Sequence, residues 1–384
     1  MTIEGPHAAT EEQLPGLIGL TNRVFRSRGE TSMGRDFPLL FCEENLEGLR
    51  VFTDDGVPVA HVGMLVRDVS LLGTRHTSCA IGAVCTHPDY RGQGLATRLM
   101  ADAVQQARAR GVDLFLISGG RGLYRRLGYV TVGGYQCVTV ESGRLPEGRG
   151  FRLRPWQERD LPALMRLRSS EPVRFVRGPE DFLTLLRAER AHDGRALTRV
   201  VLGPKSDAPL AYVTYKLPGT RSVPEDALTV EELAGSRAAV AHALRGVFDE
   251  QSVARIMIEC PVCDLEMTAL ARRHRWTCEP HGFWGTVGIV EPRKFWDACE
   301  ALFRERLGDE RFGRLRLDAG PPMSVSLGDE RLPLDGMADL TRLVFAMQED
   351  PGRSRLTPPA GSELADALKS LFPLPLMVYG MNYI

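Results

Sequence analysis

Between Ala80 and Thr97 the chain reads AIGAVCTHPDYRGQGLAT, and this stretch restricts the fold more than any other. Ile81, Ala83 and Val84 suit the interior of a buried strand. That strand must stop at His87-Pro88-Asp89, because proline has no N–H to give a ladder. Arg91-Gly92-Gln93-Gly94-Leu95-Ala96 follows, then the helical run Thr97-Arg98-Leu99-Met100-Ala101-Asp102-Ala103-Val104. Glycines at such a junction let backbone approach a ligand. The first-turn N–H groups have no partner within the helix, and the positive end of the helix dipole stands behind them. The stretch reads as a cradle for a diphosphate. A Walker loop would need Lys-Ser/Thr where Leu95-Ala96 stands, and a dinucleotide fingerprint would need glycine where Thr97 stands. The competing reading is an ordinary strand–turn–helix with glycines for tight packing.

A second buried run, Leu114-Phe115-Leu116-Ile117-Ser118, leads into Gly119-Gly120-Arg121-Gly122-Leu123-Tyr124-Arg125-Arg126-Leu127-Gly128-Tyr129. Strand-x-Pro, then R-G-x-G-x-A, then Y-x-x-x-G-Y resembles the acetyl-CoA site of the GNAT acetyltransferase superfamily. The resemblance implies that acetyl-CoA wedges between two splayed parallel strands. Val84, Cys85 and Thr86 would hold pantetheine through main-chain hydrogen bonds, as an added strand pairs with a sheet edge. Arg91, Gly92, Gln93, Gly94, Leu95, Ala96 and Thr97 would hold the diphosphate, and Gly119 and Gly120 would line the end of the second strand. Tyr124 would be the general acid that protonates the departing thiolate. A phenol of pKa about 10 can serve a thiolate of pKa about 8.5 when the site orients it. Tyr129 reads as a packing aromatic, and packing is also the competing reading of Tyr124.

The 384 residues exceed one ordinary domain and suggest two or three. A hydrophobic share of 43% and a charged share of 25% allow each a real core. The net charge of −1 gives no basic face, so nucleic acid is not an expected partner. No apolar run reaches the length of a membrane span, and Met1–Pro6 lacks the basic and apolar regions of a signal peptide. The expected location is cytoplasmic, with the eight cysteines as thiols. Cys260, Cys263, Cys278 and His281 follow C-x2-C-x14-C-x2-H, close to a zinc spacing. The surrounding pattern places them on two strands and a helix, where free cysteine is usually buried, so no metal is expected.

Taken in order, Thr10 is an expected N-cap with Glu11 and Glu12 in the first turn of a helix carrying Leu14, Leu17, Ile18, Thr21 and Phe25. Phe37–Phe41 is expected to continue the helical part. Asp55-Gly56 turns a hairpin, and strands run to Leu72 and from Ser78 to Thr86. A helix from Leu95 to Arg110 ends at Gly111. A strand over Val112–Ser118 and a final pair near Tyr129–Val140 complete the first sheet. After a linker at Glu147-Gly148-Arg149-Gly150 the pattern begins again. A short strand and the helix at Asp160–Leu167 lead to a hairpin near Arg199–Val201 and Ala211–Lys216. Ala227–Ala234 stands in the place of the splayed strand, and a helix opens at Gly235-Ser236. No R-G-x-G occurs there, and Glu231 and Glu232 would repel a diphosphate. Arg255–Cys260 reads as a strand and Asp264–His274 as a helix. From Val290 the pattern changes to a helix from Glu291 to Leu307, strands at Arg311–Leu317 and Met323–Leu327, a turn and helix after Pro333, and a helix through Leu364, Leu368 and Leu371.

The expected fold class is α/β with mixed sheets. Two tandem GNAT-type domains (1–146 and 147–289, the second degenerate) precede a smaller α+β domain (290–384). That order is similar to the enhanced intracellular survival (Eis) family of bacterial acetyltransferases, whose last domain is sterol carrier protein-like. The resemblance implies transfer of acetyl from acetyl-CoA to a primary amine that is aminoglycoside-, polyamine- or lysine-like. It implies that the chain's terminal carboxylate, here on Ile384, is the general base, although the family's end is usually aromatic. It also implies a homo-oligomer, a hexamer by analogy. Asp36, Glu43 and Glu44 are candidate carboxylates for the amine. The alternative is a non-catalytic acyl-CoA- or lipid-binding sensor on the same scaffold.

Overall fold

The structure is a computed structural model that describes residues 3–27, 31–147, 150–219, 222–347 and 350–384. Gly148-Arg149 of the expected linker lies outside these residues. The chain forms two compact units, each built from separated segments. The first holds Met1–Ser27, Glu43–Gly134 and Gly282–Leu376; the second holds Arg28–Cys42, Tyr135–His281 and Met377–Ile384.

In the first unit β1 (Ile3–Ala8), β2 (Leu49–Asp54), β3 (Val57–Leu71), β4 (Thr74–Thr86) and β5 (Leu114–Ser118) are neighbours in that order. The sequence reading missed β1, whose Pro6 breaks its pattern; an outermost strand tolerates a proline because one of its edges needs no N–H. Asp55 and Gly56 turn the β2–β3 hairpin at φ +47° and +78°, the left-handed pair that a tight hairpin requires. Helix α1 covers Leu14–Phe25. It starts at Leu14 with Gln13 as its N-cap, and not at Thr10, because Pro15 in the first turn presets the helical φ there. Phe37–Phe41 forms turns and no helix. Phe37 precedes Pro38 and takes φ −125°, ψ +66°, away from the helical region that a following proline disfavours.

Helix α2 (Leu95–Ala109) buries Leu95, Leu99, Met100, Ala103 and Ala107 against Phe52, Met64, Ile81, Phe115 and Ile117 of the sheet. The 3.6-residue spacing of those apolar positions puts them on one stripe. β4 and β5 pair in parallel only from Ser78–Ile81 to Leu114–Ile117. Beyond Ile81, β4 runs on to Thr86, held by β3 alone. Helix α3 (Gly122–Arg126) follows β5.

The expected closing pair near Tyr129–Val140 does not form in this sheet. Val130 makes a single bridge to Val287, and β6 (Gly134–Glu141) belongs to the second unit's sheet. That sheet also holds β7 (Arg152–Pro155), β8 (Gly194–Leu202), β9 (Pro209–Lys216), β10 (Ala227–Gly235), β11 (Arg255–Pro261) and β12 (Thr277–Gly282). Its order is β12-β6-β11-β10-β9-β8-β7. β13 (Gly285–Ile289) then returns to the first sheet, antiparallel to β5 with Gly285 opposite Ser118. A strand pairs with whatever edge its neighbours leave open, and sequence proximity alone does not reveal this exchange.

The second sheet repeats the plan of the first. Helices α4 (Leu161–Ser169) and α5 (Pro179–Ala188) precede β8. β10 and β11 run parallel, paired from Ala227–Val230 to Arg255–Ile258, and β10 then continues, held by β9 alone, towards α6 (Arg237–Gln251). The next helices are α7 (Leu265–His274), α8 (Pro292–Ala298) and α9 (Glu300–Arg314). The single helix expected from Glu291 to Leu307 is thus two. The strand expected from Arg311 starts only at Leu315, since α9 resumes beyond a break at Gly308 (φ +76°). Arg314, on its last turn, donates to Glu363 at 3.0 Å. β14 (Leu315–Asp318), β15 (Met323–Leu327) and β16 (Glu330–Leu334) form an antiparallel sheet, followed by α10 (Met337–Phe345) and α11 (Glu363–Leu371). Among the described residues, no helix is long and apolar enough to cross a membrane.

Candidate active site

Where β4 and β5 part, the first unit opens a cleft of about 380 Å³. Val84, Cys85, Thr86, Arg91, Gly92, Gly94, Leu95, Ala96, Thr97 and Tyr124 all line it; Gln93, Gly119 and Gly120 lie outside its lining. Arg121 and Arg126 join Arg91 on the wall, and among the described residues none that lines it is acidic. The cleft therefore favours an anion.

The geometry at the start of α2 explains the glycines. Gly92 and Gly94 have φ +80° and +73°, and a side chain at either would meet nothing within 4 Å. They are needed for conformation, not for space. Gly94 is the N-cap and no side chain caps the helix, so the first-turn amides remain for a ligand. This donor set, with its positive surroundings, fits a diphosphate.

Cys85 sits on the stretch of β4 that β5 leaves unpaired. Burial pushes its thiol up to about 12, against the pull of Arg121 and Arg91, so it stays protonated and is a poor nucleophile. Tyr124 is 2% exposed and packs with Val84, Leu95 and Ile117. Ile384 belongs to the second unit and is 5% exposed. Asp36 also lies in the second unit, where its Oδ1 accepts from Thr31 at 2.6 Å and from Arg190 Nε at 2.8 Å. It is therefore already neutralised. Glu43 and Glu44 begin an exposed turn of the first unit.

Two features escaped the sequence reading. Tyr90, given no role in the sequence between the strand breaker His87-Pro88-Asp89 and the glycines, lines the cleft and donates to Asp54 Oδ2 at 2.6 Å. That hydrogen bond raises its pKa and keeps it a phenol. Arg121, read as part of a glycine-rich turn, donates to the Val84 carbonyl at 3.4 Å. Nothing in the local pattern points to either partner.

The second unit treats the equivalent helix start differently. Ser236 Oγ accepts from the Ala239 amide at 3.2 Å, and Glu266 accepts from the Ala238 amide at 3.3 Å. Glu231 and Glu232, expected to repel a diphosphate, are engaged elsewhere: Glu231 pairs with Lys216 at 2.9 Å and Glu232 with Arg177 at 2.7 Å. Cys260 and Cys278 both contact Gln136, and His281 lies 5.5 Å from the Tyr135 ring. Among the described residues no group of three or more His, Cys, Asp or Glu side chains could hold a metal ion. None of the eight cysteines is joined in a disulfide.

The site thus joins a parted parallel strand pair to a glycine helix start that carries no side-chain cap. Residues 6–132 match the family model described as an acetyltransferase (GNAT) domain. No curated relative matches the chain. Among solved structures, the chain resembles Eis1 from Mycobacterium abscessus at 13% identity and TM-score 0.61, covering 100% of both chains. It resembles a GCN5-related N-acetyltransferase from Anabaena variabilis at 19% identity and TM-score 0.60, covering 77% of this chain and 75% of that one. A probable N-acyltransferase from Enterococcus faecalis matches at 16% identity and TM-score 0.59, over 77% and 74%. At these identities the likeness is one of fold.

Proposed function

We propose that the chain transfers acetyl from acetyl-CoA to a primary amine by direct attack. The observation that carries this reading is the cleft: uncapped amides at Gly94, three arginines and no carboxylate on its wall, beside a strand edge left open by β5. The amides of Gly92–Thr97 bind the diphosphate, with Gln93 as part of that loop. Val84, Cys85 and Thr86 hold the pantetheine arm, while Gly119 and Gly120 shape the end of β5. A main-chain N–H of the Val84–Thr86 stretch polarises the thioester carbonyl. Tyr124 gives its proton to the sulfur as the C–S bond breaks and the new C–N bond forms. The attacking amine gives up a proton to a base, a role the resemblance assigns to the Ile384 carboxylate. Cys85, held as a thiol, takes no acyl group.

The acceptor class follows the resemblance: aminoglycoside-, polyamine- or lysine-like amines. The same resemblance supports a degenerate second GNAT-type domain, a sterol carrier-like 290–384 region, a cytoplasmic location and a homo-oligomer. Calorimetry with acetyl-CoA, paired with thiol release across a panel of such amines, tests the reading. Binding without thiol release on any amine would favour the non-catalytic sensor.

A further inference from the structure

Ala83 stands one residue before the cleft wall with φ +51°, a left-handed conformation that alanine adopts at a cost. The strain has a clear origin. His61 of β3 faces Cys85 of β4, and Gly63 faces Gly82, so β4 carries one extra residue at this point. Such a bulge re-aims the backbone that follows it. Here that backbone is Val84, Cys85 and Thr86, all on the cleft wall.

His61 is the group that meets the bulge. Its Nδ1 lies 3.0 Å from the Ala83 carbonyl oxygen, and since a carbonyl can only accept, Nδ1 carries the proton. The ring is fully buried. Burial drives its pKa down to about 4, against the pull of that hydrogen bond, so the imidazole is neutral at ordinary pH. A histidine held neutral across the working range does not change its protonation state there. It can hold a backbone in place.

We propose that His61 is a positioning residue that locks the β4 bulge at Ala83, fixing the Val84–Thr86 backbone against the thioester. The inference rests on the acetyl-transfer reading and adds to it a residue that lies behind the cleft wall and not on it. Its two parts separate cleanly: the lock is a property of the strand, and its consequence is a property of the reaction.

The test uses the full chain. His61→Phe fills the space without the donor, His61→Gln keeps an N–H of similar reach, and Ala83→Gly removes the need for a lock, since glycine takes a positive φ freely. His61→Phe is expected to lower kcat about tenfold or more with the KM for acetyl-CoA within about threefold, because the reacting carbonyl is misplaced and not unbound. His61→Gln should retain most of kcat, and adding Ala83→Gly to His61→Phe should recover much of the loss. Hydrogen exchange of the 83–86 amides should rise in His61→Phe and not in His61→Gln, whether or not any amine is acetylated. If wild type acetylates nothing, exchange still decides the lock and only the reaction reading falls. A folded His61→Phe with kcat within about twofold and unchanged exchange would overturn the inference. So would equal losses in the Phe and Gln variants. Should His61→Phe not fold, His61→Met against His61→Gln makes the same comparison.

Discussion

The Glu171 carboxylate accepts a hydrogen bond from the Gly235 amide at 2.9 Å, at the end of β10 where α6 begins. The same carboxylate pairs with Arg237 at 2.6 Å, and Asp264 pairs with that arginine at 2.8 Å. With Ser236 and Glu266 on the next amides, the second unit supplies its own anions at a helix start where the first unit leaves Gly94 uncapped. Carboxylates in that place repel a phosphate and occupy its donors. Acetyl-CoA should therefore bind with a stoichiometry of one per chain. Calorimetry on the full chain measures this, and a second site of comparable affinity would show that the internal carboxylates can be displaced.

Gly94→Glu acts on the first unit alone. Glutamate there would have to hold φ +73° and would place a negative charge at the amides themselves. Because a side chain at Gly94 meets nothing within 4 Å, the fold should survive with a backbone penalty of about 1 kcal/mol. Acetyl-CoA affinity should fall below detection while the melting temperature shifts by only a few degrees. Retained affinity would remove the diphosphate from this loop.

The cleft was legible in the sequence because its parts are contiguous. Strand, proline, glycines and helix lie within Ala80–Thr97, and each has a local conformational reason to be where it is. The partners that shape it are not contiguous. His61 and Asp54 reach Ala83 and Tyr90 across a sheet, through contacts that no periodicity encodes. The capping pattern at Thr10 points to an earlier helix start than the one Pro15 sets at Leu14. Likewise β6 and β13 change sheets because their partners are fixed by long-range pairing, while their own residues read simply as strand. Glu231 and Glu232 were read as bare charges; only the fold supplies Lys216 and Arg177 to pair them.

Tyr124→Phe separates the acid from the packing aromatic. The ring stays and the core contacts to Val84 and Ile117 stay with it, so stability should change little. If the phenol protonates the thiolate, kcat should drop about 10²-fold or more with the acetyl-CoA dissociation constant nearly unchanged. A rate within twofold of wild type would return Tyr124 to a packing role.

Deleting Ile384, or extending the chain beyond it, tests the base assigned by resemblance. The residue is buried in the second unit, so the loss of its apolar side chain alone should cost about 1.5–3 kcal/mol. A fall in kcat well beyond what the melting curve explains is expected if its carboxylate takes the amine's proton. An unchanged rate would exclude it.

Acid should unfold the second unit through Glu232. Burial by itself would raise this carboxyl's pKa. The nearby Arg168 and Arg177 charges, with hydrogen bonds from Arg177 and Tyr212, outweigh burial and hold it down to about 2. The unfolded chain's glutamate titrates near 4.3. A group with a depressed native pKa contributes its stability above the unfolded value and loses it as pH falls towards the native one. The melting temperature should therefore decline as pH drops from about 4.5 towards 2, with protons taken up on unfolding. Glu232→Gln removes the titrating group but leaves Arg177 buried beside a neutral amide, a loss of about 3 kcal/mol or more at neutral pH. The variant's melting temperature should start lower and fall less steeply across the same acid range. A parallel slope in variant and wild type would place the acid sensitivity in other carboxylates.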